Sequence, residues 1–78
     1  MHEVGVAREI LKLTLEKAGN KKVKSIKIEL GDDGHTTPET LINAFQMVAK
    51  GSIAESARLD INKGQGLESR VLELEVEN

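Results

Sequence analysis

Hydrophobic positions in the first part of the chain recur at the period of a helix. Between residues 4 and 18 they form a wide apolar stripe, and most charged residues of this segment fall on the other side. The stripe consists of Val4, Val6, Ala7, Ile10, Leu11, Leu13, Leu15 and Ala18. Gly19 and Asn20 follow, a pair typical of a left-handed helix end. The pattern predicts an amphipathic helix that stops at this pair.

The pattern then changes to alternation. In the segment VKSIKIEL, Ile26, Ile28 and Leu30 fall on one side, and Lys27 and Glu29 fall on the other. Alternation of this kind is typical of a strand that is buried on one face. It returns twice near the end of the chain, in ARLDIN and in VLELEVE. The predicted inward residues of these later strands are Ala57, Leu59 and Ile61, then Leu72, Leu74 and Val76, with Glu73, Glu75 and Glu77 outward.

The intervening segment GDDGHTTPE has the composition of a loop that leads into a helix. Pro38 suits the first helical position, which makes Thr37 the natural N-cap. Thr36 with Glu39 offers an overlapping capping box. The helix is predicted to run to about residue 50, where Gly51 ends it. Its predicted inner face carries Leu41, Ile42, Phe45, Val48 and Ala49.

The elements follow the order α-β-α-β-β over residues 1–78, which we interpret as a single domain. A strand, a helix and a strand in succession imply a right-handed crossover between parallel strands. The last two strands can pair antiparallel through Gly64, Gln65 and Gly66. The predicted fold is α+β, with two layers: two helices pack on one face of a three-stranded mixed sheet. The other face, rich in Lys and Glu, stays in water.

Composition narrows the possible chemistry. Phe45 is the only aromatic residue, so the core must be aliphatic. A net charge of −2 and the lack of aromatics argue against a nucleic-acid binder. The absence of cysteine excludes disulfides, thiolate metal sites and thiol nucleophiles. There is no run of about 18 apolar residues that would span a membrane. The start also lacks the apolar region of a secretory signal, so we expect a cytoplasmic protein.

Patterns that would indicate catalysis or phosphate binding are missing. His2 and His35 lie in different segments, and the serines do not stand in a nucleophile-elbow pattern. The GDDGH segment lacks the alternating ligands of a calcium-binding loop. Gly64 and Gly66 do not belong to a phosphate-binding glycine motif. We therefore predict that the protein is not an enzyme.

The first residues carry a possible metal site. The α-amine and the imidazole of His2 both lose their protons near neutral pH, which favours metal binding. The amine, the His2 amide nitrogen and the His2 ring can close two adjacent chelate rings on one ion. A fourth ligand can come from the Glu3 amide, a carboxylate or a distant side chain. Planar sets rich in nitrogen suit Ni(II) or Cu(II) better than Zn(II) or Mg(II).

His35 is a second histidine with two possible roles. Asp32 and Asp33 beside it can supply oxygen ligands, and the positive end of the following helix favours a neutral imidazole. The same loop also has a purely structural explanation, because Thr36, Thr37 and Pro38 are capping residues. We favour the structural role, and the ligand role stays open.

Taken together, the segments resemble one protein family. MHEVGVAREILKLTLEKA resembles the start of the HypA-type nickel metallochaperones, which begin Met-His-Glu and continue into an amphipathic helix. VKSIKIELG resembles the first strand of that family, PETLINAFQMVAKGSIAE its second helix and turn, and ARLDI its second strand. GLESRVLELEVE resembles the closing strand, so the resemblance covers nearly the whole chain in order.

The sequence departs from the family in two places. The family carries a zinc module built on two Cys-x-x-Cys pairs, and here that module is absent between Ile61 and Lys63. The loop before the second helix is also more polar, with Asp33, His35 and Thr36 in place of mostly apolar or small residues. A shortened nickel domain accounts for both departures, and its origin, engineered or natural and divergent, stays open.

The resemblance implies Ni(II) bound by the Met1 amine, the His2 amide and ring, and the Glu3 amide, without zinc. It also gives Glu3 a second role in partner contact. The implied partners are a HypB-type GTPase and the proteins of hydrogenase or urease maturation. We expect a monomer or a strand-swapped dimer. The alternative is a protein-interaction or scaffold module in which the metal motif at Met1, His2 and Glu3 is vestigial.

Overall fold

The computed structural model describes residues 2–78 and, from Glu3 onward, their side chains. Five elements follow one another along the chain: α1 (His2–Ala18), β1 (Val23–Leu30), α2 (Pro38–Val48), β2 (Arg58–Lys63) and β3 (Arg70–Val76). Both helices pack on the same face of the sheet, so the predicted α+β two-layer fold is confirmed. None of the helices in residues 2–78 is long and apolar enough to cross a membrane.

One face of α1 packs into the core. Ala7, Ile10, Thr14 and Ala18 are buried, at the three- and four-residue spacing of a helix face. Leu15 belongs to the apolar stripe that was predicted to face the core, but its side chain is 36% exposed. The prediction for Leu15 was wrong because the spacing set by Ala7 and Ile10 turns residue 14 inward and residue 15 outward. Gly19 ends the helix with a φ of 63°, as predicted.

β1 is the central strand of the sheet, whose order is β2-β1-β3. It pairs parallel with β2 and antiparallel with β3, so the predicted hairpin between β2 and β3 was wrong. The physical reason for this strand order is the degree of burial of each strand. Ile26 and Ile28 of β1 are fully buried, whereas the inward residues of β2 and β3 stay partly exposed, as suits edge strands.

The connection between β2 and β3 crosses the carboxyl end of β1 instead of forming a hairpin turn. The Gly64 N–H donates to the Leu30 carbonyl, and the Asp32 N–H donates to the Gly66 carbonyl, both at 2.8 Å. The Gly31 N–H donates to Ser69 Oγ, also at 2.8 Å. The crossing is tight, because a Cβ on Gly31 would lie 2.5 Å from the Leu67 carbonyl oxygen. We refer to residues 64–69 as the crossing segment.

A β-bulge in β3 changes which of its residues face the core. Ile26 lies opposite Leu74, whereas Ile28 lies opposite Val71, so Leu72 has no partner on β1. Leu72 is 44% exposed, and the prediction that it faces inward was wrong. Val71 takes the core position instead, while Leu74 and Val76 pack against the core as predicted.

α2 begins as the capping pattern predicts. The Thr37 side chain accepts a hydrogen bond from the Thr40 N–H at 3.1 Å. In return, the Thr37 N–H donates to the Thr40 hydroxyl oxygen at 2.9 Å. The capping box therefore joins Thr37 to Thr40 rather than Thr36 to Glu39. The helix ends at Val48, slightly earlier than expected, and Gly51 follows with a φ of 83°.

Candidate metal centre

The proposed ligands lie at the start of α1. Met1 and the side chain of His2 lie outside the part of the chain that the structure describes. His2 is the first residue of α1, and Glu3 is a half-buried residue in its first turn. The ligand set of Met1, His2 and Glu3 therefore remains a prediction, and what the structure supplies is its backbone setting.

That backbone setting suits a ligand set built on amides. The N–H groups in the first turn of a helix have no acceptor within the helix. The amide nitrogens of His2 and Glu3 can therefore lose their protons to a metal without breaking a helical hydrogen bond. The helix dipole disfavours a bare cation at this end. Two deprotonated amides would neutralise a divalent ion, so the electrostatic cost of binding falls.

The loop before α2 is organised by its own carboxylates. Asp33 Oδ1 accepts the N–H groups of His35 and Thr36 at 2.8 and 2.7 Å, and Thr36 donates its hydroxyl to Asp33 Oδ2 at 2.6 Å. Asp32 accepts the Gly34 N–H at 3.2 Å. The role predicted for these aspartates from the sequence is that of possible ligands, and the structure shows them organising the loop. The signal for their structural role was a turn-forming Asp followed three residues later by Thr.

This loop lies beside the early turns of α1. A groove of about 490 Å³ runs between α1 and the crossing segment, and Asp33 lines it together with Val6 and Glu9. The fold therefore brings Asp33 of this loop close to the second turn of α1, where Val6 and Glu9 lie, although His35 itself is an exposed residue. Among residues 3–78, whose side chains are described, no group of three or more acidic or histidine side chains could hold a metal ion.

The open face of the sheet carries an ordered pattern of charges. Ser25, Lys27 and Glu29 of β1 point outward between the two edge strands. Lys27 lies between Asp60 of β2 and Glu73 of β3. Glu29 Oε1 accepts a hydrogen bond from Arg70 Nη2 at 2.6 Å, and the two residues form a salt bridge. Because the charges alternate in sign, this face resembles a solvated surface more than an anion-binding or metal-binding site.

Comparison with known proteins defines the class to which this chain belongs. Residues 1–69 match the family model described as "Hydrogenase/urease nickel incorporation, metallochaperone, hypA". The class is therefore that of the nickel metallochaperones. Within it, the chain belongs to the HypA family, as its resemblance to that family predicted.

Individual relatives agree with this assignment. A hydrogenase maturation factor HypA from Rhizobium leguminosarum is 33% identical over 85% of this chain and 61% of its own length. The HypA of Methanosarcina mazei is 44% identical over 76% of this chain and 45% of its own length. The chain thus spans about half to three fifths of these two relatives.

Solved structures support the fold. The solution structure of the Ni metallochaperone HypA from Helicobacter pylori superposes with a TM-score of 0.76 at 18% identity, covering 95% of this chain and 96% of that chain. A second solution structure of a HypA protein gives a TM-score of 0.72 at 20% identity, covering 99% and 97% of the two chains.

Proposed function

We propose that this chain is the nickel-binding domain of a HypA-type metallochaperone and that it binds Ni(II) through its amino terminus. The proposed ligands are the Met1 amine, the His2 amide and ring, and the Glu3 amide. The observation that carries the proposal is the position of His2 and Glu3 at the start of α1, where amide N–H groups have no helical acceptor. Membership of a nickel-incorporation family supports the choice of metal.

The chemistry of this donor set favours nickel over zinc. The Met1 amine, the His2 amide and the His2 ring close adjacent five- and six-membered chelate rings that hold three nitrogen donors in one plane, which suits Ni(II) or Cu(II) and not the tetrahedral preference of Zn(II). The chain has no cysteine, so the sulfur ligands of the family's zinc module are absent. We propose that residues 1–78 act as one nickel domain without zinc, in which the crossing segment joins β2 directly to β3.

The biological role follows from the same family assignment. We propose that the domain carries nickel and performs no chemical reaction on it. Its proposed partners are a HypB-type GTPase and the proteins of hydrogenase or urease maturation in the cytoplasm. We propose that Glu3, which lies next to the proposed metal and is half-buried on α1, contacts such a partner.

A metal titration tests the proposal. Calorimetry and visible absorption of the protein with its start at Met1 should report Ni(II) binding with the weak absorption band of a planar nitrogen site. His2→Ala removes the ring donor and should weaken binding by at least about tenfold, or about 1.4 kcal/mol. If His2→Ala binds nickel as tightly as the wild type, the site lies elsewhere. If the wild type itself does not bind nickel, the motif is vestigial and the scaffold alternative holds.

A further inference from the structure

The two edges of the sheet differ in how well they resist pairing with another strand. β2 and β3 are the edge strands, and an edge strand presents backbone donors and acceptors to other chains. β3 carries a bulge at Leu72 and outward glutamates at positions 73 and 75. An antiparallel pairing of β3 with its own copy about Glu73, Leu74 or Glu75 sets glutamate opposite glutamate. Both features discourage pairing at this edge.

β2 has neither a bulge nor a run of like charges to discourage pairing. It contains no proline and no bulge, and it pairs with β1 over its full length from Arg58 to Lys63. Its charges are of both signs, with Arg58 and Asp60 exposed on the open face of the sheet. Leu59 and Ile61 point to the helix side and stay partly buried. The outer edge of β2 is therefore the better candidate for pairing with a second strand.

The segment ARLDI, residues 57–61, is complementary to itself when two copies run antiparallel. Pairing centred on Leu59 sets Leu59 opposite Leu59, Arg58 opposite Asp60 and Ala57 opposite Ile61, the last two pairs occurring twice. Opposite charges directly across a strand pair are favourable, and like charges are not. Pairing centred on Arg58 or on Asp60 would set like charges opposite each other. Pairing centred on Ile61 brings no opposite charges together, so charge selects the Leu59 register.

Packing on the helix side favours the same register. α2 leaves a groove of about 280 Å³ beside β2, lined by Ile42, Phe45, Ala57 and Leu59, among others. In the Leu59 register, Ile61 of a second copy lies opposite Ala57, whose small side chain leaves room for it in this groove. Partly exposed apolar side chains of both copies would then be buried.

We propose that two copies of this chain associate through β2, antiparallel and centred on Leu59, so that their three-stranded sheets form one continuous sheet. The two crossing segments stay in their own chains, so this dimer requires no exchange of strands. Its contacts are main-chain hydrogen bonds, two Arg58–Asp60 pairs on the open face and an apolar cluster under the helices.

A charge swap tests this interface. Sedimentation equilibrium of the wild type should show a dimer once the protein concentration is raised to about 1 mM. A dissociation constant of about 1 mM marks the weak limit of specific association. Arg58→Asp and Asp60→Arg each set like charges opposite each other and should weaken the dimer at least about tenfold. The double variant restores opposite charges and should return the dissociation constant to within about threefold of the wild type. Both residues are exposed, so the fold should persist, and thermal melting of each variant checks this.

Leu72→Asp on the β3 edge is the matched control, since Leu72 is exposed at the opposite edge. It should leave the dimer unchanged. Amide exchange of residues 57–61 should slow as the protein concentration rises, a readout that does not depend on any variant. A wild type that stays monomeric to about 1 mM would overturn the proposal. A double variant as weak as the single variants, or a dimer lost in Leu72→Asp, would overturn it as well.

Discussion

Thr14 places a hydroxyl group inside an otherwise aliphatic core. It is fully buried on α1, and within the described residues its Oγ1 has no hydrogen-bond partner. Sequence reasoning missed this residue because a threonine among apolar residues looks like part of the polar face. Thr37, in contrast, was predicted correctly as an N-cap, because Pro38 fixes the helix start. Local signals such as caps can therefore be read from sequence, whereas burial of a polar residue depends on the packed neighbours.

Replacing Thr14 by valine should raise the free energy of unfolding by about 0.5–1.5 kcal/mol. Valine keeps the shape of threonine and removes an unsatisfied buried hydroxyl, whose burial costs free energy. Urea unfolding monitored by circular dichroism measures the change. Thr14→Ser is the control, and it should lower stability because it keeps the hydroxyl and loses a buried methyl group. A destabilised Thr14→Val would indicate that the hydroxyl bonds to the preceding helical turn.

A His35→Ala variant tests whether the second histidine contributes to nickel binding. The Asp33 carboxylate accepts the His35 N–H and organises the loop, which supports the structural role. We therefore expect His35→Ala to leave the nickel affinity and the absorption band unchanged in a titration. Weakened binding together with a shifted band would place the His35 ring among the ligands, since Asp33 of the same loop lies beside the second turn of α1.

The strands show how far periodicity can be taken. Alternation identified all three strands, and in β1 and β2 it also identified the residues that face the core. It failed at Leu72, because a bulge shifts the phase of alternation without any mark in the sequence. It also failed for strand order, since alternation describes one strand and says nothing about its neighbours. The glycines at 64 and 66 belong to the crossing segment and not to the hairpin turn that the strand pattern predicts.

Gly31 should be required for the crossing at the end of β1. In Gly31→Ala the new Cβ would meet the backbone of Leu67 and Glu68 at 2.5–2.7 Å, so the crossing segment must shift. We expect a loss of about 1–3 kcal/mol in the free energy of unfolding. Gly66→Ala is the control, because a Cβ there meets nothing within 4 Å, and it should change stability by less than about 1 kcal/mol. Equal losses in both variants would contradict the tight crossing.

At the scale of the whole molecule, the fold is held by apolar packing. The buried cluster draws residues from both helices and from β1, with side chains of β2 and β3 packed around it. The sequence predicted this two-layer arrangement because the apolar stripes and alternating strands supply the required faces. It could not establish the metal ligands. The family match supports nickel handling by this class of protein, but Met1 and the His2 side chain lie outside the described residues.

Folding should therefore be independent of metal. No cysteine is present to hold a structural zinc ion, and the proposed nickel ligands lie at the helix start rather than in the core. Addition of a chelator such as EDTA should leave the far-ultraviolet circular dichroism and the melting temperature of the protein unchanged. Loss of helical signal in the chelator would show that a metal ion stabilises the fold.

The most direct test of the proposed nickel site is to block the amino terminus while keeping His2 in place. A Gly-Ser extension before Met1 converts the α-amine into an amide and breaks the adjacent chelate rings. Calorimetric titration with Ni(II) should then show binding at least about tenfold weaker than in the protein that starts at Met1. The circular dichroism of the two proteins should stay the same. Equal nickel affinity in the extended and unextended proteins would contradict the account and place the site elsewhere.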